Sequence, residues 1–246
     1  MGITFERGYS ITLAALPIST ASLVTSGLVM NLQTAPSSGT TWTSTVSSSF
    51  YSASLITTGA GTFAYTGSYG GGIVAGGGAG SNTAICTSYN LTSSFSVDMV
   101  VQPNSTNYWA VLWGNEIYSA KGWYAYWGNA TSLIAGGPTS TLTYSSPTAA
   151  SNVPVHLVFT LASGVFRMYR NGVLQTGTGA YSGPSGGVST TGLNFGSRHP
   201  NGTGTANTPT DSLKGVYYQM RVYDKPLSQT EVTQNFDTIK ETYSLT

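Results

Sequence analysis

In the segment SFSVDMVVQP, residues 94–103, Phe95, Val97, Met99 and Val101 alternate with Ser96, Asp98, Val100 and Gln102. A period of two places the first set on one side of an extended chain and the second on the other, which no helix does. The segment predicts a half-buried strand of an antiparallel sheet, apolar on one face and mostly polar on the other. Short runs of the same character recur along the chain, among them GLVMNL, FYSASLI, VHLVFTLA, VFRMYRN and GLNFGS, and turn-forming residues separate them. The Asn171–Gly172 pair is a tight-turn signal that makes its neighbourhood a hairpin or meander. With 31 Gly, 10 Pro and abundant Ser and Thr, the chain is poor in helix formers, and an all-β sandwich or barrel follows.

One segment departs from this pattern. LKGVYYQMRVYDKPLSQTEVTQNF reads as a strand entering a helix, because Ser228 and Glu231 have capping-box spacing and Leu227 precedes them as a staple residue. Ten of the seventeen charged residues lie from Arg198 onward, whereas none occurs between Arg7 and Asp98. In a chain with 7% charged residues and a net charge of +1, the surface is solvated by hydroxyls and amides. It also tolerates close packing against other protein, which fits an assembly subunit, although a monomer adapted to salty surroundings has the same composition.

Scattered Lys and Arg argue against nucleic acid as a partner. Cys86 is the single cysteine, so no internal disulfide exists and no zinc-ligand spacing is present; it reads as a small buried residue. Residues 1–26 carry Glu6, Arg7 and Pro17 among Ser and Thr, and form neither a signal-peptide core nor a membrane span. They read as an arm that docks on a neighbouring subunit. The glycine-rich block over residues 59–80 contains a degenerate G-x-G-x-x-A pattern at Gly70, Gly72 and Ala75, but without the flanking strand and helix of a dinucleotide site its glycines signify turns and close backbone approach. The sequons at Asn90, Asn104, Asn129 and Asn201 are what a chain rich in Ser and Thr contains by composition alone.

Residues 107–128, NYWAVLWGNEIYSAKGWYAYWG, hold four of the five tryptophans. Two apolar runs flank a polar link here, the outline of two adjacent strands. Strict alternation would group Trp109, Val111 and Trp113 on one face and Tyr108, Ala110 and Leu112 on the other, while Trp123, Ala125 and Trp127 oppose Tyr124 and Tyr126. Indoles without charged neighbours belong between sheets, which leaves the tyrosines on the second face with their hydroxyls hydrated. A glycan needs an aromatic face flanked by amides or charged groups. Tyr124 and Tyr126 with Asn115 and Glu116 on the link meet this need, and Arg198 and His199 in the loop SRHPNG are a second candidate contact.

Catalysis finds less support. The acids are Glu6, Asp98, Glu116, Asp211, Asp224, Glu231, Asp237 and Glu241, and no two stand at the alternate positions that would aim both carboxylates at one glycosidic bond. A distant pair such as Asp98 with Glu116 is the remaining arrangement. No G-x-S-x-G elbow accompanies the two histidines, and His156 reads as a residue that orders a hairpin corner by hydrogen bonds.

Taken in order, GLVMNL with GTTW, FSVDMVVQP, VPVHLVFTLASGVFRMYRNGVLQTG, GLNFGS and the closing LKGVYYQMRVYDKPLSQTEV resemble the laminin-G-like domains of the concanavalin A-like jelly-roll superfamily over residues 27–236. Gly215, Arg221, Val222, Tyr223, Leu227, Ser228 and Glu231 match that family's closing pattern, and His156 matches its W-x-H-Φ motif with Pro154 in place of the tryptophan. The opening phrase is similar to modules in structural proteins of tailed bacteriophages. The resemblance implies an all-β, two-sheet antiparallel β-sandwich over residues 27–246, a concanavalin A-like jelly roll with an N-terminal arm and one short C-terminal helix. It also implies ligands, often glycans and sometimes through calcium, at rim loops or on the concave sheet. Val216, Tyr217, Tyr218 and Gln219 stand where many relatives carry an acid, so the closing strand does not support the calcium that the resemblance allows, and no cofactor or metal is expected.

The function so implied is a non-enzymatic virion protein, a capsid decoration, head-fibre or tail-fibre component assembled in the host cytoplasm. Its expected partners are capsid or fibre subunits, further copies of itself and a cell-surface glycan, with neither nucleic acid nor membrane insertion. A lectin-like module or adhesin that is not primarily structural is the alternative, and a glycoside hydrolase on the same scaffold is a third reading.

Overall fold

The computed structural model describes residues 2–4, 10–12, 21–46, 52–58, 61–76, 82–104, 110–115, 121–129, 131–137, 140–145, 152–179, 181, 192–196 and 213–246. Strands β1 (Gly2–Thr4) and β2 (Ser10–Thr12) form a two-stranded sheet. Next come β3 (Leu28–Leu32), β4 (Thr41–Trp42), β5 (Ala53–Thr58), β6 (Thr62–Thr66), β7 (Gly72–Gly76) and β8 (Asn82–Cys86). The long β9 (Phe95–Pro103) precedes β10 (Ala110–Gly114), β11 (Tyr124–Asn129), β12 (Ser132–Gly137) and β13 (Ser140–Ser145). A meander of β14 (Val155–Ala162), β15 (Val165–Arg170) and β16 (Val173–Leu174) follows, and then β17 (Gly177–Thr178) and β18 (Asn194–Phe195). The closing strand β19 (Gly215–Tyr223) leads into the helix α1 (Gln229–Tyr243).

Two antiparallel sheets make the sandwich. One has nine strands in the order β17-β13-β12-β11-β10-β18-β8-β5-β4; the other has eight, β16-β15-β14-β9-β19-β7-β6 with β3 also paired to β19, and carries α1. Within the meander, both Asn171 and Gly172 have positive φ, as a two-residue hairpin turn requires.

The apolar alternation of β9 works as the sequence predicts. Phe95, Val97 and Met99 pair with Leu161, Phe159 and Leu157 of β14 and face the inter-sheet core. Trp42, Trp113, Trp123 and Trp127 enter that core from the nine-stranded sheet. Phe95 meets Trp113 and Trp123 edge to face, at centroid distances of 5.8 and 5.2 Å. Each buried indole contributes on the order of a few kcal/mol.

Two sequence expectations are corrected by the structure. Alternation in β10 is not strict: Trp113 joins Ala110 and Leu112 in the core, while Val111 faces the other way. The cause is a β-bulge, a register shift between Val111 and Trp113 in the β10–β11 pairing, which turns the tryptophan inward. Trp109 and Tyr108 lie outside the described residues.

The polar face of β9 is also not open to water. Ser96, Asp98 and Val100 are fully buried, because α1 lies over this side of the eight-stranded sheet. Ser96 Oγ donates to Lys225 O at 2.8 Å and accepts from Leu227 N at 2.7 Å, fixing the link between β19 and α1. The Ser228–Glu231 capping box is formed, and Leu227 packs with Val232 beneath it.

Asp98 gathers the charges of this layer. His156 Nε2 lies 3.1 Å from its Oδ1, Arg221 Nη1 lies 3.5 Å from its Oδ2, and Asn235 Nδ2 donates to Oδ2 at 2.8 Å. Asn235 also donates to Tyr223 Oη at 2.9 Å and accepts from Val24 N at 3.0 Å. The His156 ring stacks on Phe236, and its backbone N–H donates to Asn171 Oδ1 at 3.0 Å, so it does order the meander corner. Burial alone would raise the Asp98 carboxyl; the charges of His156 and Arg221 and the hydrogen bonds from His156 and Asn235 outweigh it and hold the group at about 2.

With the folded value below the ordinary 3.8, ionised Asp98 stabilises the fold fully above that pH, and the contribution disappears as the pH falls toward about 2. Chemical denaturation across this window should register a loss on the order of 2 kcal/mol from this group. Asp98→Asn keeps the shape but leaves Arg221 without its counter-charge; at neutral pH it is expected to lower stability by about 3 kcal/mol and to remove this part of the acid dependence. In the core, Trp113→Ala should lower the unfolding free energy by about 3–5 kcal/mol in the same assay.

Candidate functional site

Eight of the nine strands in the larger sheet place one residue each in a continuous transverse row. Cross-strand partners run Thr41, Ser54, Cys86, Asn194, Gly114, Tyr124, Gly136 and Thr141. Their chain neighbours Trp42, Leu55, Ile85, Phe195, Trp113, Trp123 and Ala135 lie in the core, so by alternation the row faces away from it. Tyr124 is the large side chain of the row, and a glycine stands on each side of it. Next to it runs a shorter row of Val111, Tyr126, Ile134, Thr143 and Thr178.

Tyr124 and Tyr126 therefore occupy the face opposite the tryptophans, as alternation in β11 predicts. Their ring centroids are 5.5 Å apart, and they form a small apolar cluster with Val111 and Ile134. The expected hydrated surface is not what they make: their exposures are 6% and 5%, and Tyr124 Oη donates to Gly137 O at 3.2 Å. The rings pack on their apolar neighbours instead of standing in water. Small residues are needed around them, since a Cβ at Gly128 would come within 2.7 Å of Ile134.

Asn115 closes the β10–β11 connection. Its backbone N–H donates to Trp123 O at 3.0 Å and its Oδ1 accepts from Trp123 N at 2.9 Å. Gly122 completes this clamp with φ 90; a side chain there would sit 2.4 Å from Asn115 O. Asn115 is fully buried, so it positions the tyrosine strand and presents no open amide. Glu116, Arg198 and His199 lie outside the described residues. The structure thus brings Asn115, Tyr124 and Tyr126 together.

Thr41 and Ser54 at one end of the long row are exposed, Thr141 at the other is half-buried, and Asn194 in the middle is covered. None of the eight residues in the row carries an ionised side chain. Cys86 is half-buried, and burial pushes its thiol up to about 12, so it is a neutral, unreactive lining residue. Asp98 belongs to the other sheet and points under α1 into Arg221, His156 and Asn235, which removes it from any pairing across the nine-stranded face. Among the described residues, no three His, Cys, Asp or Glu side chains gather as a metal-ligand set.

Ser54, Cys86, Asn194 and Thr141 were invisible to sequence reasoning as members of one face. β18 inserts between β8 and β10 from far along the chain, and no local spacing announces that Asn194 lies beside Cys86.

Solved structures with this architecture include the binding domain of botulinum neurotoxin DC in complex with rat synaptotagmin II, with a TM-score of 0.61 and 14% identity over 87% of this chain and 52% of that one. The chain spans about half the length of such toxin domains. Domain 4 of an extracellular arabinanase from Geobacillus stearothermophilus, in complex with arabinotriose, matches at a TM-score of 0.56 and 18% identity, covering 85% of this chain and 97% of the domain. Trypanosoma rangeli sialidase matches at 0.60 and 14% over 89% of this chain and 34% of the enzyme. At these identities the likeness is one of fold. No curated protein matches the chain. A laminin-G family model described as the concanavalin A-like lectin/glucanases superfamily matches residues 75–233, from the end of β7 through the first turn of α1. With the two antiparallel sheets, the closing strand and its capped helix in place, the chain belongs to the concanavalin A-like lectin/glucanases superfamily.

Proposed function

We propose that the domain is a non-catalytic recognition module for neutral glycans, displayed in several copies on a virion to which residues 1–26 attach it. The observation that carries the recognition reading is the transverse row: the exposed hydroxyls of Thr41 and Ser54 at one end and the half-buried Thr141 at the other stand in line with the packed ring of Tyr124 and the covered amide of Asn194, without an ionised group among them. Sugars are recognised by this combination of apolar faces and uncharged hydrogen-bonding groups. A fold neighbour supports it, since the arabinanase domain is bound to arabinotriose, a neutral trisaccharide. Asp98 supports the non-catalytic part, because its carboxylate is already committed to the contact between sheet and helix. The virion setting rests on the charge-poor surface and on the likeness of the opening phrase to phage structural modules. The same features favour capsid or fibre subunits and further copies of the chain as partners.

Glycan-array binding by the purified chain, combined with light scattering, tests this. Neutral oligosaccharides are expected to bind without release of reducing sugar. Ser54→Tyr adds bulk at an exposed point of the row and should weaken binding at least about tenfold while leaving the denaturation midpoint in place. Removal of residues 1–20 is expected to turn a defined oligomer into monomers. An array without signal sinks the recognition reading, and a monomeric parent chain sinks the multi-copy display.

A further inference from the structure

An exposed aromatic residue sits on the other side of the sandwich. Between β6 and β7, the 3-10 turn Ser68–Gly70 holds Tyr69 at φ 53 and ψ 34, a left-handed backbone that an aromatic residue adopts only against a steric penalty. Tyr69 is 37% exposed and stands over two buried rings. Its centroid lies 5.4 Å from Tyr218, edge to face, and 6.2 Å from Tyr243, and those two rings are 5.6 Å apart.

The surroundings leave the ring accessible and supply polar partners. A Cβ at Gly67 or Gly70 would meet nothing within 4 Å among the described residues, so the space beside these two glycines is open. Gly72 gives the underlying ring its room, since a Cβ there would lie 2.7 Å from Tyr218. Tyr218 Oη donates to Gln102 Oε1 at 2.8 Å, and the Thr66 and Ser68 hydroxyls pair at 3.2 Å beside the turn. Burial, and then the nearby phenols of Tyr69 and Tyr243, push the Tyr218 hydroxyl up to about 12, so it remains a neutral donor.

A cover for Tyr218 and Tyr243 needs neither left-handed backbone nor the open glycines at 67 and 70; any apolar residue in an ordinary turn would do. We propose that Tyr69, backed by the buried rings of Tyr218 and Tyr243, is a second sugar subsite, which stacks the apolar face of a neutral saccharide on its ring and offers the Tyr69 phenol and the half-buried Gln102 amide to its hydroxyls. This subsite is separate from the nine-stranded face and stands or falls independently of it.

Saturation-transfer NMR with cellotriose, laminaritriose and arabinotriose tests the assignment in the Ser54→Tyr background, where the row on the nine-stranded sheet is obstructed. At least one trisaccharide is expected to retain a signal there, and Tyr69→Gly in the same background should lower it at least about fivefold. Because glycine relieves the left-handed strain, the melting temperature should stay within about 2 °C of the background or rise. No signal in the Ser54→Tyr protein, or a signal that Tyr69→Gly leaves unchanged, overturns the subsite. A fall of more than about 5 °C in Tyr69→Gly also overturns it, because the ring is then a structural cover. Failure of the recognition face is a different result: Ser54→Tyr then binds the array like the parent chain.

Discussion

An ionised carboxylate without access to water has to be surrounded by partners, and Asp98 draws its partners from three separate elements. His156 comes from β14 on one side of β9, Arg221 from β19 on the other, and Asn235 from α1 above. A strand order that moved β14 or β19 away from β9 would leave the charge bare, and so would a helix docked elsewhere. Removing one partner from such a buried set costs more than the set contributes in total, so the arrangement acts on specificity of docking as much as on stability. Through Asn235 the same network reaches Tyr223 and the backbone of Val24, which fixes where the chain enters the sandwich.

The two outer faces of the sandwich consequently differ. The helix covers part of one and places the charged residues Glu231, Asp237, Lys240 and Glu241 there, while the outer rows of the nine-stranded sheet are Ser, Thr, Gly, Asn and Tyr with a neutral thiol among them, open at Thr41 and Ser54 and closed at Asn194 and Tyr124. Among the described residues these rows carry no ionised group, so a ligand of the kind proposed above would be selected there by shape and short-range hydrogen bonds.

Much of this was legible in the sequence because the signals are local. Alternation in Phe95, Val97, Met99 and Val101 marks a strand, positive-φ residues suit the turn at Asn171 and Gly172, and the Ser228–Glu231 pair marks a helix start. What escaped depends on partners remote in sequence. The burial of Ser96, Asp98 and Val100 is caused by a helix more than a hundred residues later, so the polar half of the alternation looked like a solvent face. Trp113 was placed correctly in the core but with the wrong companions, because a bulge leaves no mark in a run of apolar residues. The tyrosine face was assigned correctly in β11, yet its closure by packing on Val111 and Ile134 depends on cross-strand register, which alternation does not encode.

The anchoring of Val24 and Ser22 to α1 gives the domain a mounting side. Val24 is held by Asn235 and Tyr223, and Ser22 O accepts from Gln234 Nε2 at 2.6 Å. Anything tethered through the preceding residues pulls on the helix side, so the nine-stranded face looks away from the support, like a tile fixed by its back. In the multi-copy display proposed above, all the rows would point outward at once, and weak individual contacts would act together against a target that carries many copies of the same ligand.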